Sequence, residues 1–499
     1  MPENDVSPLR FRLLPLGALN EPRTVAVLLA LLFGALACAG ALFPITDPDV
    51  WWIAAAGRDT LAHGAVPRVN GYAFTDAAHP WVMHEWLYGI VLAPGAVHLG
   101  PSSFALVGIA CGALAFGLFV TFAVTHARSL AAATLSVLLM ASVASALFGP
   151  RPSSAALSLA LAMALVAFPA GWSKTRSALA VLLELLWAQM HGSFPLGVVI
   201  LLFAGVEHAR DRATLAPRTM TAIAAMFVTL VNPYGLRLHG LVAHYVLGDD
   251  DVSSLIHRQI EEFQPLWRAG PVWASPPTVI ALVIVVALAA SALVHRRHRA
   301  RAVLVLALAA MAVHQARHAA LAIVLGSALL VSEIDDLLER TKPAGPRVRA
   351  SSLVLAMLAP GLLVSALLWL HALRTRAEGA WIDDSLGGSS VLALSRALPD
   401  GAHTYAPFAP SALVLWESAP RGGRVFFDPR NDCYSADVLR TSSALPSDDH
   451  ADRTLADRGT DEAILHVGTV PFDALARSPL WESVKRDGEW TLFRSARHR

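Results

Sequence analysis

The sequence is poor in charge and nearly free of cysteine. Only 15% of its 499 positions are Asp, Glu, Lys or Arg, against 55% hydrophobic residues, and cysteine occurs three times. Cys38 and Cys111 lie in apolar runs and Cys433 stands alone near the C-terminus, which excludes a disulfide framework and a zinc-ribbon spacing. No sign of charge dominates: the formal net charge is +1, so no global field draws nucleic acid or an acidic polymer. Internal repeats and low-complexity tracts are lacking as well. A water-soluble globule of this size could hardly carry a mean hydropathy of +0.51. The chain needs lipid.

What the sequence does hold is a series of long apolar runs. They begin near Thr24, Phe104, Leu130, Ser153, Ser177, Ser193, Thr219, Pro277, Ala302, Ala319 and Ser351. The expectation is an α-helical polytopic membrane domain of about eleven transmembrane helices over residues 1–378, followed by a soluble α/β domain over residues 379–499. The run from Thr24 to Ile45 follows Arg10, Arg12 and Arg23, is too long for a signal-peptide core and lacks an A-x-A cleavage pattern, so it reads as a retained first helix. Gly and Ser scattered through Ala/Leu/Val-rich runs let helices approach closely in lipid.

Basic residues set the orientation. With the N-terminus cytoplasmic and Trp86 to Leu99, broken by Pro94 and Gly95, lying along the surface, every basic cluster falls on one side. These are Arg128, Lys174/Arg176, Arg210/Arg212/Arg218, Arg296/Arg297/Arg299/Arg301 and Arg340/Lys342/Arg347/Arg349. The outer face then receives the first loop (Thr46 to Ser103), the turns at Gly149, His191 and Gln315, a loop from Asn232 to Pro276, and the C-terminal domain. That domain shows a helical stretch Ser389 to Leu398, strand-like segments Arg424 to Asp428 and Ala463 to Val467, and a hairpin Trp481 to Phe493 around Asp487-Gly-Glu.

The candidate chemistry lies on that outer face. Thr46-Asp-Pro-Asp-Val-Trp-Trp opens a helix in which Asp47 before Pro48 suits an N-cap, while Asp49 falls inside the first turn, where no cap is needed. A carboxylate there is placed to act as general base on an acceptor hydroxyl. Trp52 follows, and further on His84 and Glu85 stand between Trp81 and Trp86; aromatic faces beside polar groups suit a sugar, and equally suit an interfacial anchor. Arg151, Arg237 and Arg317 bring guanidinium groups to the head-group layer, either to grip a phosphate or to snorkel among lipids. His191 ends a span, and Glu184 is an acid inside one. His84, Glu85, Asp49 and His191 carry metal-ligating atoms, but no H-E-x-x-H-type spacing supports a metal, and no cofactor is expected.

Asp47-Pro-Asp-Val-Trp-Trp with Gly57-Arg, Trp81-Val-Met-His-Glu-Trp-Leu, Trp187-Ala-Gln-Met-His-Gly, Asn232-Pro-Tyr-Gly-Leu, Phe263-Gln-Pro-Leu and Phe427-Asp-Pro-Arg-Asn-Asp-Cys-Tyr resemble a group of bacterial membrane proteins that is similar to the GT-C glycosyltransferases. Those include protein O-mannosyltransferases and lipid A aminoarabinose transferases. The resemblance covers most of the chain in order. It implies an inner-membrane glycosyltransferase that moves sugar from a polyprenyl-phosphate donor to a glycan, lipid or protein acceptor, with Asp49 at the catalytic centre and Asp47 second. The group usually has His where Ile53 stands and Asn where Gln189 stands. Two other functions stay open on sequence: a non-catalytic assembly or transport protein for surface polysaccharide, and a glycan polymerase or ligase. The C-terminal Asp428, Arg430, Asp432 and Tyr434 suit either contact with an acceptor glycan or a salt-bridged turn.

Overall fold

The computed structural model describes residues 19, 21–248, 251–338 and 349–498. Arg10, Arg12, Arg340, Lys342 and Arg347 of the orientation argument lie outside these residues.

Each apolar run is a helix. The order is α1 (Pro22–Leu42), α2 (Asp49–His63), α3 (Trp86–Leu99), α4 (Ser102–His126), α5 (Leu130–Ala141), α6 (Ala144–Phe148), α7 (Pro152–Ala167), α8 (Lys174–Met190) and α9 (Pro195–Glu207). It continues with α10 (Arg212–Val228), α11 (Leu236–Leu247), α12 (Asp251–Gln259), α13 (Pro276–Val294), α14 (Arg299–His314), α15 (Ala319–Leu329), α16 (Val331–Leu338) and α17 (Ala350–Thr375). Local chemistry sets the starts: Ser129, Ser173 and Ser275 accept amide hydrogens in the first turns of α5, α8 and α13, and Pro152 and Pro195 occupy the first positions of α7 and α9. Among the described residues, four helices are fit to cross a membrane by length and composition: α1, α4, α13 and α17. The stretch 232–276, read from sequence as a loop, instead holds α11 and α12. Arg237, His239 and His244 interrupt the apolar residues of α11, and Ser253 and Ser254 those of α12, so a search for continuous apolar runs misses both.

The bundle has two chemically different ends. At one, Asp336 pairs with both Arg128 and Arg297, Glu207 pairs with His298 and Arg301, and Arg218 donates to the carbonyls of Ala167 and Pro169. Helix α14 starts at that end, beside Arg301, and leads to Arg317 about 24 Å away at a rise of 1.5 Å per residue. Among the described residues, Arg128, Arg218, Arg297 and Arg301 therefore stand at the end opposite Arg317.

Helices α2 and α3 form a hairpin over the second end. It closes at Gly57, where an added Cβ would lie 2.0 Å from the carbonyl oxygen of Gly89, so only glycine permits this approach. After α17 the chain forms α18 (Gly388–Arg396), β1 (His403–Tyr405), α19 (Phe408–Ser418), β2 (Arg424–Val425), α20 (Ala436–Ala444), α21 (Ala451–Asp457), β3 (Glu462–His466), α22 (Val470–Arg477), β4 (Trp481–Asp487) and β5 (Trp490–Ser495). The sheet order is β2-β1-β3-β5-β4, with β1 parallel to β2 and β3, and β5 antiparallel to β3 and β4. β2 is shorter than the run Arg424 to Asp428 suggested. Its outer edge is taken by the first loop, where Val425 donates to the Tyr72 carbonyl at 2.8 Å and accepts from the Phe74 amide at 3.1 Å. Loop and C-terminal domain thus share one sheet.

Candidate functional site

The site is assembled from the N-terminus of α2, the turn before α3, the residue preceding α7, the end of α8, and the loops around residues 262 and 317. Asp47 does two jobs. Its Oδ1 accepts the Asp49 amide at 2.9 Å from one position before the N-cap, which is Pro48 and not Asp47 as the sequence suggested, and its Oδ2 lies 2.5 Å from Arg151 Nε, an ion pair whose angle does not make a hydrogen bond. Asp49 Oδ1 accepts the Trp52 indole N–H at 3.1 Å, and Oδ2 accepts from Arg151 Nη2 at 3.3 Å. Trp52 is itself buried against Trp81, so it orients Asp49 rather than offering an open ring face.

Arg151 is the hub. Besides the two aspartates it contacts Glu262 through Nη1 at 3.3 Å, and Glu262 in turn pairs with Arg317 at 3.5 Å. Arg317 stacks over Phe263 at 4.4 Å. The neighbouring His84 and Glu85 pair at 3.4 Å. His191 Nδ1 accepts the Ser193 amide at 3.1 Å, which leaves the ring proton on Nε2.

Charge and burial tune these groups in opposite directions. Burial, reinforced by Asp47 and opposed by Arg151, pushes the Asp49 carboxyl up to about 7. Asp47 is raised too, chiefly by burial. Burial would strip His84 of its proton, but the Glu85 carboxylate prevails and raises it to about 8. Glu85 and Glu262, despite burial, are held below the usual carboxylate range by His84 and by the two arginines respectively. His191 is pushed down to about 3 by burial and is neutral. The cluster therefore combines a carboxyl poised near neutrality with fixed positive charge, a combination suited to acid–base chemistry.

Of the residues singled out from sequence, Asp47, Asp49, Trp52, His84, Glu85, His191, Arg151 and Arg317 come together here. Arg237 does not: it is exposed on α11 and has no ion-pair partner among the described residues. Glu184 lies away from the cluster, inside α8 against Gly197 of α9. Sequence reading missed Glu262, whose signal was its place just before the aromatic Phe263-Gln-Pro-Leu motif. It also left Asp428, Arg430, Asp432 and Tyr434 undivided. The structure separates them. Asp428 is gripped by Arg430 at 2.6 and 2.8 Å and by the Tyr434 hydroxyl at 2.6 Å, a buried salt-bridged turn. Arg430 also donates to Asn70 Oδ1 at 2.8 Å and lies over the Tyr72 and Trp81 rings, fastening the turn to the first loop. Asp432 alone points elsewhere, toward His84 and Tyr245. Among the described residues no three His, Cys, Asp or Glu side chains are placed to hold a metal ion.

No protein-family model matches the chain, and no curated protein sequence does either. Its architecture does have a counterpart among solved structures. The crystal structure of ArnT from Cupriavidus metallidurans bound to undecaprenyl phosphate superposes with a TM-score of 0.53 at 14% identity, covering 94% of this chain and 97% of that one. The chain has the fold of that protein.

Proposed function

We propose that this chain is a glycosyltransferase of the bacterial inner membrane, moving a sugar from a polyprenyl-phosphate-linked donor to a glycan, lipid or protein acceptor at the cell surface. One observation carries the reading: Asp49, poised near neutrality, pairs with Arg151, which Glu262 links to Arg317, in a fold whose solved counterpart was crystallised with undecaprenyl phosphate. In this reading residues 1–378 supply about eleven spans, the N-terminus is cytoplasmic, and residues 379–499 stand on the outer side.

The step follows from the groups present. Asp49 takes the proton of an acceptor hydroxyl, the acceptor oxygen attacks the anomeric carbon, and the bond from that carbon to the phosphate oxygen breaks. The leaving polyprenyl phosphate gains charge as it departs, and guanidinium groups at Arg151 and Arg317 stabilise it bidentately. Glu262 keeps both guanidiniums ordered until the phosphate arrives.

The test is transfer of labelled sugar from a polyprenyl-phosphate donor in membranes containing the wild type or Asp49→Ala. Loss of transfer with unchanged protein level supports the mechanism, and unchanged transfer refutes it. Normal transfer in membranes lacking the whole protein, accompanied by stalled polysaccharide export, would favour a non-catalytic assembly role.

A further inference from the structure

Helix α2 stops at Gly64 and the 3-10 turn Ala419–Arg421 stops at Gly422, each in the left-handed backbone that glycine adopts without strain (φ 65° and 77°). The two turns flank a groove of about 380 Å³ between the first loop and the C-terminal domain, a volume in the range of pockets that take a whole ligand. Glycine, alanine and proline form much of its wall. The other lining residues are Asp59, Thr60, His63, Val69, Tyr72 and Arg424.

Their hydrogen bonds leave a defined set of free positions. Asp59, 36% exposed, accepts from Arg58 Nε at 3.1 Å and from the Tyr72 hydroxyl at 2.7 Å, one bond on each oxygen, so the carboxylate is held in place and each oxygen keeps a second lone pair. His63 Nδ1 donates to the Asp59 carbonyl at 2.7 Å, which leaves Nε2 as an acceptor in the neutral ring. Arg424 is exposed, and its guanidinium has no partner among the described residues. The Thr60 hydroxyl is spent on the Ala56 carbonyl, and the Tyr72 ring is buried against Trp81 and Arg430.

That set selects a class of ligand. A cation is repelled by Arg424 and gains little from a carboxylate already paired with Arg58. An anion finds one donor group, because the amides of Gly422, Gly423 and Arg424 are already bonded to carbonyls. An apolar group would leave the carboxylate and the guanidinium without water. A neutral molecule rich in hydroxyls donates to Asp59 and His63, accepts from Arg424, and lays its C–H face on Val69, which is 49% exposed. An extended peptide has no strand to join, since Tyr72 and Phe74 already occupy the edge of β2.

The groove is too far from Asp49 to hold a reacting group. Asp59 follows Asp49 by ten residues of one helix, about 15 Å at 1.5 Å per residue. A line of contacts fixes that spacing: Tyr72, bonded to Asp59, packs edge-on to Trp81 at 6.3 Å, Trp81 packs on Trp52 at 6.0 Å, and Trp52 donates to Asp49. A sugar seated in the groove reaches Asp49 only through further sugar residues.

We propose that the groove between the end of α2 and the C-terminal domain holds an internal, uncharged stretch of the acceptor while the acceptor's end lies at Asp49, so that the acceptor is an oligosaccharide or polysaccharide. This rests on the glycosyltransferase reading and names its acceptor class.

The probe is the delipidated envelope polysaccharide of the producing cell, cut by limited acid hydrolysis and sorted by length. Full-length protein in lipid nanodiscs is titrated with each fraction and assayed for transfer from the labelled polyprenyl-phosphate donor. Gly71→Trp places an indole in the groove, at a position where an added Cβ meets no atom within 4 Å, and Arg424→Ala removes the free donor. Monodisperse elution and an unchanged melting temperature establish that each variant folds. In the wild type, KM falls at least tenfold once fragments are long enough to span from Asp49 to the groove, and both variants lose that gain and the matching binding with kcat retained. Length dependence equal in wild type and variants overturns the assignment and leaves the glycosyltransferase reading standing, as does transfer confined to protein or lipid. Displacement of the fragments by inorganic phosphate overturns the uncharged class. Groove-dependent binding without any transfer by the wild type overturns the glycosyltransferase reading and the acceptor role with it, and absence of both binding and transfer overturns everything proposed for this groove.

Discussion

Arg151, the residue that precedes α7, reaches Asp49 in the first turn of α2 through an Nη2–Oδ2 contact of 3.3 Å. The pair joins the first loop to the helix bundle, and it sets the protonation of the carboxyl on which the proposed chemistry depends. Burial and Asp47 work to keep Asp49 protonated, and Arg151 works against them.

Asp49→Asn is therefore expected to reduce sugar transfer by roughly 10²- to 10⁴-fold, the usual worth of a positioned general base, measured with labelled donor in membranes. It also separates function from stability. Because the folded-state carboxyl is raised to about 7, its contribution is full below the unfolded-state value near 4 and is lost as pH rises through about 7. Asparagine suffers no such loss. The melting temperature of the variant relative to wild type should accordingly rise between about pH 5 and about pH 8.

Removing the hub should do the reverse. Arg151→Met leaves Asp47, Asp49 and Glu262 facing one another without a counter-charge. With 28% of the arginine side chain open to solvent, the expected cost is on the order of 2 kcal/mol, below the range for fully buried pairs. Combining it with Asp47→Asn should recover part of the loss in a melting experiment, whereas strictly additive losses would contradict the coupling.

The protonated His84 supplies a second pH signal. His84 is raised to about 8 because Glu85 outweighs burial, with Asp432 adding to Glu85 and Arg317 opposing it. Transfer that needs this proton falls as pH rises through about 8, while the Asp49 requirement gives a fall below about 7, so the profile is a narrow bell. In Glu85→Gln burial is left to act without its main counterweight, and the alkaline limb should move below neutrality. An unmoved limb would show that another group titrates there.

Close packing of the α2–α3 hairpin gives a prediction that involves no charge. Gly57→Ala would place a methyl 2.0 Å from the Gly89 carbonyl oxygen and should cost about 3 kcal/mol or more, with loss of folded protein in detergent. Gly205→Ala is the control. No atom lies within 4 Å of a Cβ at that helical position, and the change should be neutral or stabilising by roughly 0.5–1 kcal/mol.

Arg430 fastens the C-terminal turn to the first loop through Asp428, Asn70, Tyr72 and Trp81, and neither it nor Asp428 is exposed to solvent. Arg430→Met should cost roughly 3–5 kcal/mol of the stability of this junction. Limited proteolysis should then cut near the junction while the helix bundle survives. Resistance equal to wild type would mean that the strand-edge pairing of Tyr72 and Phe74 with Val425 suffices alone.

Much of this molecule was legible before any coordinates, for reasons tied to particular residues. The apolar runs announce helices because lipid leaves backbone groups no partner but each other. The hairpin at Asp487-Gly-Glu is visible because a two-residue turn has its own residue chemistry, and β4 and β5 meet there. Asp49 stood out from Asp47 because only one of two acids two residues apart can cap the same helix. The short α11 and α12 were not legible, since Arg237, His239 and His244 in one and Ser253 and Ser254 in the other break up their apolar residues. Nor was Glu262, an acid with no motif of its own.

The order of elements and the pairing of residues close in sequence, such as His84 with Glu85, are local properties and could be read from the chain alone. The gathering of Asp49, Arg151, Glu262 and Arg317, the different fates of Asp428 and Asp432, and the exclusion of Arg237 were decided only by tertiary structure. The reason is physical. An ion pair between residues 102 positions apart depends on how helices cross and which side chains burial leaves without water, and neither is encoded in any short window of sequence.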